Sequence, residues 1–78
     1  MSNPVFDRLA EVIRTTLKQP EAAIAPETTA DDVDGWDSLT HSVLLMRIER
    51  AFAVRFEPAE VMSLENVGQL ARLVESKV

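Results

Sequence analysis

The stretch from Asp37 to His41 places a carboxylate, a hydroxyl and an imidazole within five residues. On a helix, Ser38 and His41 would share a face, since residues three apart are neighbours. In a hydrolytic triad, however, the imidazole lies between the hydroxyl and the carboxylate, with one ring nitrogen bound to each. Residues on one helical turn rarely reach that arrangement, and no oxyanion hole is evident. We therefore predict that the chain is not an enzyme and that His41 is a surface residue beside Ser38.

The acidic segment from Asp32 to Gly35 resembles the middle of a calcium-binding loop. With Gly35 at the glycine position, the first ligand would be Ala30 and the last, normally a bidentate glutamate, would be His41. Both ends of the loop are therefore unsuitable. The chain also has no cysteine, which excludes thiolate metal sites. We predict no metal site.

Ser38 follows a residue that is itself a good helix cap. Asp and Ser are both preferred at that position, so Ser38 could simply be the cap. If Asp37 caps instead, Ser38 becomes the first helical residue and its hydroxyl points outward. A phosphate ester there would meet exposed backbone N–H groups and the positive end of the helix dipole. The second arrangement suits the attachment of a phosphodiester.

Hydrophobic periodicity predicts three main helices and a short one, and alternation typical of strands never persists. Asn3 and Pro4 suit a helix start, and the residue before Pro20 disfavours helical geometry. The predicted helices are 4–18, Asp37 or Ser38 to about Ala53, 57–62, and Asn66 to about Lys77. A long loop, 19–36, connects the first two. Residues 1–78 are predicted to form one all-α domain.

The predicted second helix carries two apolar stripes. One follows the i, i+3/i+4 spacing of a core face and contains Leu44, Leu45, Ile48 and Phe52. The other contains Leu39, Val43 and Met46 on a different side. This second stripe is either additional core or an exposed docking surface next to Ser38.

The 78 residues carry a net charge of −5, which argues against a nucleic-acid partner. No Lys or Arg occurs between Lys18 and Arg47, an interval rich in acids. This bias either serves solubility alone or gives an acidic surface that steers basic partners towards Ser38. No apolar run approaches the roughly 20 residues of a membrane span, and the N-terminus lacks the features of a signal peptide. A soluble, cytoplasmic monomer is expected.

The order of these features resembles the acyl carrier and peptidyl carrier protein superfamily. The residues Asp37-Ser38-Leu39 begin an amphipathic helix that ends in Glu49-Arg50-Ala51-Phe52. A helix and a long acidic loop precede it, and a short helix and an Asn66–Leu70 helix start follow it. The resemblance extends from about Val5 to Val74 and implies a four-helix bundle of acyl-carrier type.

The resemblance also implies a cofactor and a set of partners. Ser38 would accept 4′-phosphopantetheine from coenzyme A through a phosphopantetheinyl transferase, and Asp37 matches the acid that takes part in this modification. The arm would supply the thiol that the chain lacks and carry an acyl or aminoacyl thioester. Further partners would be a loading ligase and downstream biosynthetic enzymes. Leu39 and Met46 match partner-facing positions, and the expected docking residues are Leu39, Val43, Met46, Glu49 and Arg50.

Three positions depart from the fatty-acid-type carriers that the chain resembles. Thr40, Val43 and Arg50 stand where acids are common in those carriers. Docking to the basic patches of fatty-acid synthase enzymes should therefore be weakened. Together with Gly35-Trp36, these departures predict a discrete carrier of a polyketide, peptide or lipid-modification pathway. The alternative is a small helical protein-interaction domain without a prosthetic group.

Overall fold

Four α-helices provide most of the regular structure in residues 4–78, which the computed structural model describes. They are α1 (Pro4–Leu17), α2 (Ser38–Phe52), α3 (Pro58–Met62) and α4 (Val67–Glu75), with a 3₁₀ turn at Ala30–Asp32. This part of the chain contains no strand, and the all-α prediction is confirmed. Each helix end lies within one or two residues of its predicted position. The proposed cap Asn3 lies outside the described residues.

The helix ends have local causes. Pro4 occupies the first position of α1, where its missing N–H costs nothing. Lys18, with φ of 58°, ends that helix, and Ala53, with φ of 54°, ends α2 in the same left-handed conformation. The Asn66 side chain caps α4 by accepting a hydrogen bond from the N–H of Gln69 at 2.9 Å.

The core lies where α1 packs against α2 and α4. In α2, Leu44 and Ile48 are completely buried, while Leu45 and Phe52 are partly buried and pack against the same cluster. The predicted core stripe of α2 is therefore confirmed. The other fully buried large side chains are Leu9, Ile13, Val67 and Val74.

The long loop between α1 and α2 is attached to the start of α4. The N–H of Val67 donates to the carbonyl of Thr28 at 2.9 Å, and the N–H of Gly68 donates to the carbonyl of Pro26 at 2.7 Å. A Cβ atom on Gly68 would lie 2.9 Å from that Pro26 oxygen, so this close approach favours glycine. Val33, later in the loop, is buried in the core. These contacts hold the loop against α4 and the core. None of the helices in residues 4–78 is long and apolar enough to cross a bilayer.

Candidate functional site

Ser38 is the first residue of α2, and its exposed side chain is not the cap. Asp37 caps the helix: its Oδ1 accepts hydrogen bonds from the N–H of Leu39 at 3.0 Å and of Thr40 at 2.9 Å. Within residues 4–78 the Ser38 hydroxyl has no hydrogen-bond partner. Of the two arrangements that the sequence allows, the structure therefore has the one in which Asp37 caps α2 and the Ser38 hydroxyl is free.

The same cap changes one expectation about the phosphate. Because Asp37 already binds the N–H groups of Leu39 and Thr40, these donors are not open to a phosphate on Ser38. Of the N–H groups in this first turn, only that of Ser38 itself has no hydrogen-bond acceptor within residues 4–78. The residues still suit a phosphodiester, since the hydroxyl is exposed and lies at the positive end of the α2 dipole.

Thr40 completes a reciprocal cap that the sequence analysis missed. Its Oγ1 accepts a hydrogen bond from the N–H of Asp37 at 2.8 Å and donates to the carbonyl of Gly35 at 2.6 Å. This is a capping box with Thr in place of the usual Glu or Gln. The sequence does indicate such a cap, because Thr40 is a polar residue three positions after Asp37. Thr40 therefore holds the backbone on both sides of Ser38.

These contacts keep Asp37 charged. The backbone N–H of Thr40 lowers the pKa of the Asp37 carboxyl below its ordinary value, and the N–H of Leu39 adds to this effect. In the folded chain, a fixed negative charge therefore stands directly before Ser38.

The lowered pKa of Asp37 predicts a pH-dependent stability. Its ionised form stabilises the fold fully above the ordinary Asp pKa of about 3.9, and this contribution is lost as the pH falls through the folded-state value. Asp37→Asn keeps an oxygen acceptor but removes the charge. We expect it to reduce the free energy of unfolding at neutral pH, with a difference from wild type that narrows in acid. Urea unfolding followed by circular dichroism, from about pH 3 to pH 7, measures this.

Asp34→Asn is the matched control for this titration. It removes the same charge from an exposed carboxylate that makes no hydrogen bond within residues 4–78. If both variants differed from wild type by the same pH-dependent amount in unfolding free energy, the role of the Asp37 cap would be contradicted.

An open groove of about 650 Å³ begins at Ser38 and runs between α2 and α3. Leu45, Val61 and Leu64 supply part of its apolar lining, and Trp36 and His41 form one wall. The indole Nε1–H of Trp36 donates to His41 Nδ1 at 3.0 Å, and the two rings stack with centroids 6.1 Å apart. Ser38 is therefore bordered by the apolar lining of this groove as well as by the negative charge of Asp37.

His41 lies next to Ser38 as predicted, but it is half-buried rather than fully on the surface. Its Nδ1 accepts the indole proton, so this nitrogen is not available to a carboxylate. The Asp37 carboxylate instead accepts hydrogen bonds from the N–H groups of Leu39 and Thr40. The geometry thus separates the three residue types that a triad would join. Within residues 4–78, no cluster of ligands suitable for a metal ion occurs.

The second apolar stripe of α2 is exposed. Leu39 is 77% exposed, Val43 41% and Met46 58%. Extra core, the alternative for this stripe, is excluded. Arg50 is exposed at the far end of the helix. Glu49 is half-buried, and its Oε2 accepts a hydrogen bond from the N–H of Phe56 at 2.8 Å. Its expected contact with partners stays a prediction.

Comparisons with known proteins agree with this geometry. A family model described as "Phosphopantetheine attachment site" matches residues 7–74. The acyl carrier protein of Streptococcus pyogenes serotype M1 is 37% identical over 73 residues, covering 94% of this chain and 95% of that protein. Acyl carrier protein 3 of Ralstonia nicotianae is 32% identical over 77 residues, covering 97% and 88%. The solution structure of a holo acyl carrier protein from Geobacter metallireducens superposes with a TM-score of 0.89 at 36% identity, covering 96% of this chain and 86% of that one.

Proposed function

Because the chain belongs to the acyl carrier protein family and carries its phosphopantetheine attachment domain over residues 7–74, we propose that Ser38 is the attachment residue. The single observation that carries this assignment is the exposed, unbound hydroxyl at the first position of α2, directly after the Asp37 cap. The covalent 4′-phosphopantetheine supplies a terminal thiol for an acyl thioester. The Asp37 cap holds Ser38 at the exposed start of α2, and the groove between α2 and α3 leaves space beside it.

The test is intact-mass analysis after incubation with coenzyme A and a broad-specificity phosphopantetheinyl transferase. We expect a gain equal to one 4′-phosphopantetheinyl group. A helical interaction domain without a prosthetic group would gain no mass under these conditions, which would overturn the proposal.

The protein acts through other enzymes rather than by catalysis of its own. Two contacts support this: His41 Nδ1 accepts the indole proton of Trp36, and the Asp37 carboxylate caps the helix. Among residues 4–78, no basic side chain is hydrogen-bonded to the Ser38 hydroxyl. The transferase modifies it, and biosynthetic enzymes act on its thioester. A dedicated loading ligase, a monomeric state and a cytoplasmic location remain predictions.

The exposed stripe of α2 is the proposed docking surface for these enzymes. Leu39, Val43 and Met46 present apolar side chains near Ser38, and Arg50 follows them on the same side of the helix. Exposed apolar anchors at this spacing are typical of a helix that docks into a groove. We propose that Val43 and Arg50 select against fatty-acid synthase enzymes and direct the carrier to a polyketide, peptide or lipid-modification pathway.

This selection predicts a gain of function. Val43→Glu combined with Arg50→Glu should raise the kcat/KM of elongation by fatty-acid synthase enzymes about 3- to 10-fold at low salt, because a basic docking surface attracts the new carboxylates. The measurement is elongation of the loaded carrier at several salt concentrations.

Thr15→Glu combined with Arg72→Glu is the control, since it makes the same charge change at exposed positions on α1 and α4. Equal elongation of the wild type and the α2 variant, or an equal gain from the control, would count against selection by Val43 and Arg50.

A further inference from the structure

Three exposed arginines surround the C-terminal end of α2. They are Arg47, Arg50 and Arg55, and within residues 4–78 none of them forms an ion pair. The carboxylate among them is that of Glu49, which is half-buried and accepts the N–H of Phe56. This end of the helix therefore presents positive charge that the chain itself does not neutralise.

Arg50 is aligned with the apolar stripe. At 100° per residue, Leu39, Val43, Met46 and Arg50 fall within about 60° of the α2 circumference, on the side opposite the buried Leu44 and Ile48. With a rise of 1.5 Å per residue, the row is about 16 Å long. Met46, Arg50 and Arg55 also border one open hollow of about 370 Å³, together with Val54 and Glu49, so two arginines face one carboxylate there. The row thus passes from apolar side chains directly into a hollow whose lining side chains carry a net positive charge.

The opposite end of the row is acidic. Asp31, Asp34 and Asp37 are all exposed in the segment that leads to Ser38, and the pKa of Asp37 is held below its ordinary value by the Thr40 N–H. Charge of opposite sign therefore lies at the two ends of a single apolar row. A surface with this pattern favours one docking direction, because the reversed direction would bring like charges together.

We propose, on the basis of the carrier function above, that the enzyme acting on this carrier's thioester binds α2 in an apolar trough with carboxylates at one end. Those carboxylates face Arg50 and Arg55. Basic residues at the other end of the trough face the acidic segment near Ser38. Compared with the basic docking patches of fatty-acid synthase enzymes, the partner's surface is thus acidic instead of basic where it meets the C-terminal end of α2. Where it approaches Ser38, it is basic, as in those enzymes.

The experiment uses a fatty-acid synthase acyltransferase with a basic docking patch as the probe, in two versions. One version is unmodified, and in the other the basic residues that receive the C-terminal half of α2 are replaced by glutamate. The holo carriers compared are wild type, Arg50→Glu with Arg55→Glu, and the control Arg72→Glu, which reverses an exposed charge on α4. The readout is kcat/KM for acyl transfer at low and high salt.

We expect the wild type and the Arg72→Glu control to prefer the glutamate version by about 5- to 20-fold at low salt. The Arg50→Glu, Arg55→Glu carrier should prefer the unmodified enzyme, and both preferences should fall to about twofold or less at high salt. If the glutamate version of the enzyme does not fold, the unmodified enzyme alone still tests the inference. Its kcat/KM must then be higher with the Arg50→Glu, Arg55→Glu carrier than with wild type, and unchanged with Arg72→Glu.

The inference would be overturned if all the carriers showed the same preference between the two enzyme versions. It would also be overturned if Arg72→Glu changed that preference as much as Arg50→Glu with Arg55→Glu. Intact mass of each carrier is recorded first. Absence of the phosphopantetheinyl group would refute the proposed function, whereas a normally modified carrier with no charge preference would refute only the proposed partner surface.

Discussion

Ser38→Ala should abolish the mass gain on incubation with coenzyme A and transferase. The hydroxyl oxygen is the atom that forms the new phosphoester bond, and alanine has no substitute for it. Its loss should not disturb the fold, because the Ser38 side chain is exposed and the cap is formed by Asp37 and Thr40. The circular dichroism spectrum of the variant should therefore match that of the wild type, and every downstream acyl transfer should stop.

Ser42→Ala is the matched control for the anchor. Ser42 lies one turn further along α2, is also exposed, and borders the same groove. Its hydroxyl donates to the carbonyl of Ser38 at 3.4 Å. We expect the full mass gain with Ser42→Ala. A gain that persists in Ser38→Ala, or one that is lost only in Ser42→Ala, would show that the anchor has been assigned to the wrong residue.

Ile48→Ala should have the largest effect on stability. The Ile48 side chain is completely buried between α2 and the rest of the core. Its removal loses apolar burial and leaves a cavity, and such substitutions cost about 2–5 kcal/mol of unfolding free energy. Since small domains have only about 5–15 kcal/mol in total, much of the stability should be lost. Urea unfolding gives the value directly.

Met46→Ala tests whether this loss depends on burial. Met46 is also apolar and lies two residues away on α2, but it is 58% exposed. We expect a change within about 0.5 kcal/mol. A loss as large as that of Ile48→Ala would mean that the exposed stripe is part of the core in solution, and the proposed docking surface would have to be abandoned.

Much of the fold follows from local sequence rules. Pro4, Asp37, Asn66 and the spacing of the apolar residues determine where the helices begin, because caps and helical periodicity act within a few residues along the chain. The proposed anchor, Ser38, could be singled out for the same reason. Asp37 precedes Ser38, and a cap at Asp37 leaves the Ser38 hydroxyl free.

Contacts between distant parts of the chain were not predictable in this way. The hydrogen bonds that attach the loop carbonyls of Pro26 and Thr28 to α4 join residues about forty positions apart. The hydrogen bond from Trp36 to His41, and the one from Phe56 to Glu49, also depend on how the loops fold back onto α2. No periodicity in the sequence encodes these distances.

The sequence by itself predicted the four-helix pattern and a free Ser38 hydroxyl at the start of α2, because both depend on residues that are neighbours along the chain. It left open whether Leu39, Val43 and Met46 belong to the core, since helical spacing defines a face but not what covers it. Only the tertiary structure decided this. The packing of α1 and the rest of the core covers Leu44 and Ile48 and leaves the opposite side of α2 exposed, so the apolar row ending in Arg50 lies on the surface.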